Sequence, residues 1–124
     1  MGRIVHFELT VPDPAKTLAF YSQVFGWSSS AWDGPVEYHL VQTGPDTTVG
    51  INGGVSRGDD PRWAGRWTNV MDVESVDESA EKIVAAGGSI VVPKMPIPSV
   101  GWLAYAADVD GTVFGIMQED PDAA

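Results

Sequence analysis

The chain of 124 residues lacks several features that mark particular classes of protein. It has no cysteine, which excludes disulfides, thiolate metal sites and cysteine nucleophiles. It contains no run of about 18 apolar residues that would predict a membrane span, and no charged-then-apolar leader opens the chain. Together these absences favour a cytoplasmic protein that does not enter membranes.

Basic residues are also scarce: 7 Lys and Arg stand against 17 Asp and Glu, for a formal net charge of −10. Such a field repels phosphate backbones, so nucleic acid is not an expected partner. It would favour a cationic small molecule if the charge reached a binding site. Much of the acid lies in predicted loops and helix starts, where its role is solubility.

What the chain does contain is an internal repeat. Residues 3–54 predict a strand, a helix and three short strands, and residues 66–118 predict the same order again. We therefore predict a single domain, 1–124, with module 1 at about 3–54, a linker at 55–65 and module 2 at about 66–118. The fold class is α+β: two βαβββ modules forming a cupped mixed sheet with the helices outside. A ligand is expected in the concave seam that such paired modules leave, here called the cup.

Residue patterns place the elements within each module. Residues 4–11 alternate, with an apolar face and a polar face that carries His6, Glu8 and Thr10 and should point into the cup. Asp13 followed by proline predicts the first helix start, and Ser75 with Glu78 forms a capping box for the second. Further strands are predicted at roughly 27–33, 36–42 and 47–53, and again at 88–93, 101–107 and 112–118. Three prolines predict an irregular loop over 94–101, counting the one at position 93.

Three segments carry a family resemblance: LTVPDPAKTLAFYSQVFGW at 9–27, VESVDESAEKIVAAGG at 73–88 and ADVDGTVFGIMQ at 107–118. They resemble the vicinal oxygen chelate superfamily, which includes glyoxalase I, bleomycin-resistance proteins and extradiol dioxygenases, and within it the antigen-type, glyoxalase-like branch. The resemblance covers nearly the whole chain. It implies the two-module fold and a homodimer, but it says little about the reaction, because this fold hosts many chemistries.

The resemblance also implies where a divalent metal would be held, by one ligand from the first and the last strand of each half. Carried over by position, these ligands fall on His6, near Gly50, on Thr68 and on Gly115. Only His6 has ligand chemistry, whereas a divalent metal needs three or four donors and glycine side chains supply none. We therefore predict no metal and no other cofactor. An improvised site of His6, Glu8 and Asp72 is the alternative.

His6 and Glu8 are the candidate catalytic residues, as groups that move a proton. A histidine near a carboxylate is expected to have a raised pKa. The alternatives are that His6 is a hydrogen-bonded residue of the pocket wall and that Glu8 pairs with an arginine such as Arg66. The predicted ligand-binding residues are His6, Glu8, Tyr38, Asn52, Thr68, Asp72 and Trp102.

Three functions remain open from these residues. The first is binding of a small organic molecule, for which the net charge favours a cation, in a cup without the usual metal. The second is catalysis, either as a metal-dependent lyase, isomerase or dioxygenase, or as a metal-free reaction that uses His6 or Glu8. The third is a non-catalytic interaction protein.

Overall fold

The structure, a computed structural model, describes residues 2–124 and contains eight strands and two helices over that range. In chain order they are β1 (Ile4–Val11), α1 (Pro14–Phe25), β2 (Ser28–Ala31), β3 (Tyr38–Gln42), β4 (Asn52–Arg57), β5 (Trp67–Asp72), α2 (Val76–Ala85), β6 (Ser89–Ile97), β7 (Gly101–Ala107) and β8 (Val113–Glu119). The order βαβββ occurs twice. The predicted α+β fold of two such modules is therefore confirmed.

Contacts divide the described chain into two units. The first unit is His6–Thr68, and the second is residues 2–5 with Asn69–Ala124. Within the first unit the strand order is β2-β3-β4-β1, with β1 parallel to β4 and the remaining pairs antiparallel. Within the second unit the order is β5-β8-β7-β6, again with one parallel pair, β5 with β8. The sequence repeat is thus a repeat of topology.

Side-chain caps and a glycine set the helix ends. The Asp13 carboxylate accepts a hydrogen bond from the backbone N–H of Lys16 at 3.4 Å, and Gly26 ends α1 in the left-handed region with φ 76°. In α2 the Ser75 hydroxyl accepts from the N–H of Glu78 at 3.1 Å. The predicted helix starts are therefore confirmed. Neither helix in residues 2–124 is long and apolar enough to cross a membrane.

The core of the first unit lies between α1 and one face of its sheet. Phe7, Leu9 and Val11 of β1 are buried there with side chains from β3, β4 and α1. Each such side chain removed from water contributes about 1.5–3 kcal/mol. The alternation in β1 is thus confirmed. His6 and Glu8 are left on the opposite face.

The second unit has a separate core, formed by Val76, Ala104 and Ile116 with partly buried neighbours. Both helices leave apolar side chains exposed. Val84 of α2 is 58% exposed, and Phe25 of α1 is 62% exposed. Not every apolar position of the two helices is therefore buried in a core.

One predicted strand and one predicted loop were wrong. The strand expected at 47–53 lies at Asn52–Arg57, because the chain turns first, with the Thr48 N–H donating to the Pro45 carbonyl at 3.1 Å. The loop expected over 94–101 is largely strand, since β6 continues to Ile97 through two prolines. β6 is the end strand in the order of its sheet, where a missing N–H breaks no ladder, and its pairing with β7 contains register shifts.

Candidate functional site

The strand registers of the first unit bring several predicted side chains onto one face of the sheet. His6 pairs with Asn52 and Glu8 with Gly54 between the parallel strands β1 and β4. Tyr38 of β3 pairs with Ser56 of β4, two residues beyond Gly54 on the same face. Four predicted site residues therefore lie on the face opposite α1: His6, Glu8, Tyr38 and Asn52.

A glycine makes room for the tyrosine at the centre of this face. A Cβ atom at Gly54 would overlap the hydroxyl and the ring of Tyr38. The Tyr38 side chain therefore lies across the backbone of β4 at Gly54. This position brings its hydroxyl to β1, between the side chains of His6 and Glu8.

The Tyr38 hydroxyl joins His6 to Glu8. It donates to Oε2 of Glu8 at 3.1 Å and lies 2.7 Å from Nε2 of His6. A phenol has one proton, and here that proton is given to the carboxylate. The phenol oxygen can then only accept from His6, so Nε2 carries the imidazole proton and Nδ1 carries the lone pair.

Burial controls the charge state of the two aromatic groups. Desolvation lowers the pKa of His6 below its ordinary value of 6.5, and the nearby Glu8 charge opposes this more weakly. The predicted raised pKa was therefore wrong, because loss of water outweighs the carboxylate. Burial first, and then the charge and hydrogen bond of Glu8, raise the pKa of Tyr38 far above its ordinary range. At neutral pH the pair is a neutral imidazole and a neutral phenol.

Beside this chain of hydrogen bonds lies a hollow of about 540 Å³, within the size range of small-molecule sites. Its lining residues are His6, Ser28, Ser29, Ser30, Leu40, Val41, Gln42, Asn52 and Gly53. With His6 neutral, none of these side chains is charged. The hollow therefore offers hydroxyl, amide and imidazole groups to a ligand.

The other predicted ligand-binding residues have contacts elsewhere. Thr68 is buried in β5 with 6% of its surface exposed. Asp72 accepts a hydrogen bond from the backbone N–H of Arg3 at 2.8 Å.

Trp102 packs against the core of the second unit, and its indole N–H donates to Asp120 at 3.0 Å. This hydrogen bond, more than any other contact, lowers the pKa of the Asp120 carboxyl. Lys94 lies with its Nζ 4.7 Å from the Trp102 ring centroid. Thr68, Asp72 and Trp102 are thus not lining residues of this hollow.

The side chains present do not fit the four-ligand metal centre that the resemblance implies. Nε2 of His6 is engaged by Tyr38. Gly50 precedes β4, and a Cβ at Gly115 would lie 3.1 Å from Val70 and 3.3 Å from Tyr105, so that position is lined by other side chains. Across residues 2–124, no three His, Cys, Asp or Glu side chains are grouped closely enough to hold a metal ion.

Sequence reasoning missed several lining residues. Gln42 lies four residues beyond Tyr38 on the same strand, so alternation along β3 was a signal that could have found it. Trp32, although not a lining residue, packs edge-on against Tyr38 with ring centroids 6.0 Å apart. The serines of β2 carry no pattern of their own, because all four residues of that strand are exposed.

The family of this chain is decided by comparison with known proteins. Residues 3–116 match the family model described as the glyoxalase/bleomycin resistance protein/dioxygenase superfamily. The chain belongs to this superfamily. The family predicted from the sequence is thereby confirmed.

Two curated relatives match over nearly the whole chain. "Putative glyoxylase CFP32" of Mycobacterium tuberculosis is 30% identical over 122 residues, covering 97% of this chain and 45% of that protein. The anthracycline biosynthesis protein DnrV of Streptomyces peucetius is 24% identical over 135 residues, covering 95% and 47% respectively. The chain thus spans about half the length of the curated relatives it matches.

Solved structures show the same superfamily fold. The methylmalonyl-CoA epimerase of Mycobacterium tuberculosis aligns with a TM-score of 0.69 at 11% identity, covering 94% of this chain and 87% of that one. At this identity the likeness concerns the fold, and the reaction of that enzyme is not transferred.

Proposed function

We propose that this domain binds a small organic molecule in the hollow beside His6, without a divalent metal. The observation that carries the proposal is the lining of the hollow, in which no carboxylate and no second histidine of the described residues accompanies His6. Nε2 of His6 is bound to Tyr38 at 2.7 Å, and the ring lines a hollow of about 540 Å³. An imidazole held in this way serves as a fixed hydrogen-bonding wall of an organic-ligand site.

The lining favours an uncharged ligand over a cation. The net charge of −10 is a property of the whole chain, whereas the hollow is lined by serines, amides and a histidine whose pKa is lowered. The Glu8 carboxylate is connected to His6 by hydrogen bonds through the Tyr38 hydroxyl. A neutral polar molecule therefore matches the hollow better than an ammonium group does.

The proposal is tested by titrating the purified protein separately with organic compounds and with Zn²⁺, Ni²⁺, Fe²⁺ and Mn²⁺. Compounds that bind are expected to shift the NMR signals of His6 and Asn52, and the shift at Asn52 should weaken in His6→Ala. The matched control is His39→Ala, because His39 bonds to Glu37 at 3.1 Å and does not line the hollow. Stoichiometric metal binding that is lost in His6→Ala and kept in His39→Ala would show a metal site at His6 and contradict the proposal.

A second candidate function is metal-free proton transfer, and the hydrogen bonds from His6 through Tyr38 to Glu8 favour it. A proton taken up at Nδ1 of His6 can be balanced by transfer of the Nε2 proton to Tyr38 and of the Tyr38 proton to Glu8. The expected sign is exchange of a ligand C–H for deuterium in D₂O. If His6→Gln exchanges as fast as the unaltered protein, this function is excluded for that ligand.

We further propose that the chain forms a homodimer. The curated relatives are about twice as long as the matched region, which leaves room in each for a second domain of this size. In addition, α1 exposes two phenylalanines, Phe20 at 56% and Phe25 at 62%. Sedimentation should give a dimer at micromolar concentration, and Phe25→Asp should weaken it more than the exposed substitution Val109→Asp. A monomer at all concentrations contradicts the proposal.

A further inference from the structure

The hydrogen bonds that two neighbouring groups in the hollow already make show which of their polar atoms are donors and which are acceptors. At His6, Nε2 is hydrogen-bonded to the Tyr38 hydroxyl, and the hydroxyl donates its own proton to Glu8. Nδ1 is then the polar atom of the ring that remains for a ligand, and it carries a lone pair. In this tautomer Nδ1 can only accept a hydrogen bond.

Asn52 is oriented by Thr43. The backbone N–H of Thr43 donates to Oδ1 of Asn52 at 2.9 Å, and the Thr43 hydroxyl lies 3.3 Å from the same oxygen. A backbone N–H can only donate, which identifies the atom facing Thr43 as the amide oxygen. The two N–H groups on Nδ2 of Asn52 are therefore directed away from Thr43 and are donors only.

These two groups are neighbours on the sheet. His6 and Asn52 are register partners on the parallel strands β1 and β4, and both line the hollow. Adjacent strands lie about 4.8 Å apart. The wall of the hollow therefore carries an acceptor on His6 and donors on the neighbouring Asn52, and neither group is charged at neutral pH.

We propose that the hollow recognises an uncharged ligand in which a hydrogen-bond donor lies next to an acceptor, as at the N–H and C=O edge of a lactam or a primary amide. The ligand donor bonds to Nδ1 of His6, and its acceptor receives a hydrogen bond from Nδ2 of Asn52. A carboxylate is disfavoured, because it has no proton to offer the Nδ1 lone pair. This inference rests on the proposed binding function and specifies its ligand class.

Two probes of nearly equal shape separate the ligand chemistry. 2-Pyridone has the N–H and C=O edge, whereas N-methyl-2-pyridone keeps the C=O and lacks the donor. NMR titration should give at least about tenfold tighter binding for 2-pyridone, since the methylated compound leaves Nδ1 of His6 without its hydrogen bond. The signals followed are the Asn52 side-chain amide and the His6 ring.

Asn52→Asp tests the other half of the pair. The aspartate keeps an oxygen for Thr43 and replaces the Nδ2 donor by a second acceptor, so 2-pyridone affinity should fall about tenfold or more. Asn69→Asp is the matched control, because it adds the same charge at an exposed residue of the second unit. That variant should bind 2-pyridone as the unaltered protein does.

Equal affinity for the two pyridones, or an Asn52→Asp variant with unchanged affinity, would overturn the inference. It would also be overturned if other compounds bound in the hollow and 2-pyridone did not, and the proposed binding function would then stand. If no compound of any class shifts the His6 and Asn52 signals, the proposed function itself fails.

Discussion

The two modules place a tyrosine against a glycine in corresponding strands, but they surround it differently. In the first, Tyr38 of β3 lies across Gly54 of β4, and the β1 residue paired with Gly54 is Glu8. In the second, Tyr105 of β7 pairs with Gly115 of β8, and the β5 residue paired with Gly115 is Val70. The same arrangement of strands thus places a carboxylate in one half and an apolar side chain in the other.

This difference shows that the shared topology sets positions, whereas single residues set chemistry. Val70 is buried with 3% exposure, and its side chain lies 3.1 Å from the position that a Cβ atom on Gly115 would take. Glu8 accepts the proton of Tyr38, which in turn fixes the tautomer of His6. The polar site we describe therefore belongs to the first module, and the corresponding positions of the second are used for packing.

The largest expected effect comes from filling the two glycines. Gly54→Ala should destabilise the fold by about 3 kcal/mol, because its Cβ overlaps Tyr38, whereas Gly115→Ala should cost about 1 kcal/mol, since its nearest neighbours lie at 3.1 and 3.3 Å. Urea unfolding measures both free energies. In a Tyr38→Ala background most of the Gly54→Ala cost should disappear. Equal costs for the two glycines would show that Tyr38 does not need the space at Gly54.

Removal of the Tyr38 hydroxyl should have an intermediate effect. Tyr38→Phe is expected to lower the free energy of unfolding by about 1–2 kcal/mol, since both His6 and Glu8 lose a partly buried hydrogen bond. Nitrogen NMR should show His6 with its proton on Nε2 in the unaltered protein and a mixture of tautomers in the variant. Tyr21→Phe, which alters a ring stacked on Trp27, is the control and should leave the His6 spectrum unchanged. An unchanged tautomer in Tyr38→Phe would contradict the hydrogen-bond assignment.

The smallest expected effect is a pH dependence of stability. The folded pKa of His6 lies below its ordinary value of 6.5, so the unfolded chain binds this proton more tightly. The free energy of unfolding should therefore rise as pH increases through the folded pKa towards 6.5 and then level off. Denaturation between about pH 5 and about pH 8 should show this rise in the unaltered protein and in His39→Gln, and a flatter profile in His6→Gln. A profile that falls with rising pH would mean that Glu8 outweighs burial.

Much of the fold was readable from the sequence because local rules governed it. The alternation in β1 predicted which side chains face away from α1, and the side chains of Asp13 and Ser75 predicted the helix starts. β4 begins later than predicted because of the local turn at 45–48, and its two glycines answer a tertiary requirement as well. Its Gly53 and Gly54 argue against a strand by propensity, yet they are needed because Phe7 and Tyr38 lie against them.

The candidate site was only partly predictable for the same reason. Alternation placed His6 and Glu8 on one face, but nothing local indicated that Tyr38 would connect them. That connection depends on Gly54 and on the register of three strands. The direction of the His6 pKa shift likewise depends on burial, which the residues next to His6 in the sequence do not determine.

The two end strands of the sheets differ in what they offer an incoming chain. Pro93 and Pro96 interrupt the row of backbone N–H donors along β6, and the pairing of that strand with β7 contains register shifts. β2 has no proline, and its four small residues are all exposed. Edge-to-edge addition of a foreign strand is consequently obstructed at β6 and open at β2, so the serine-rich segment is where self-association by strand pairing would begin.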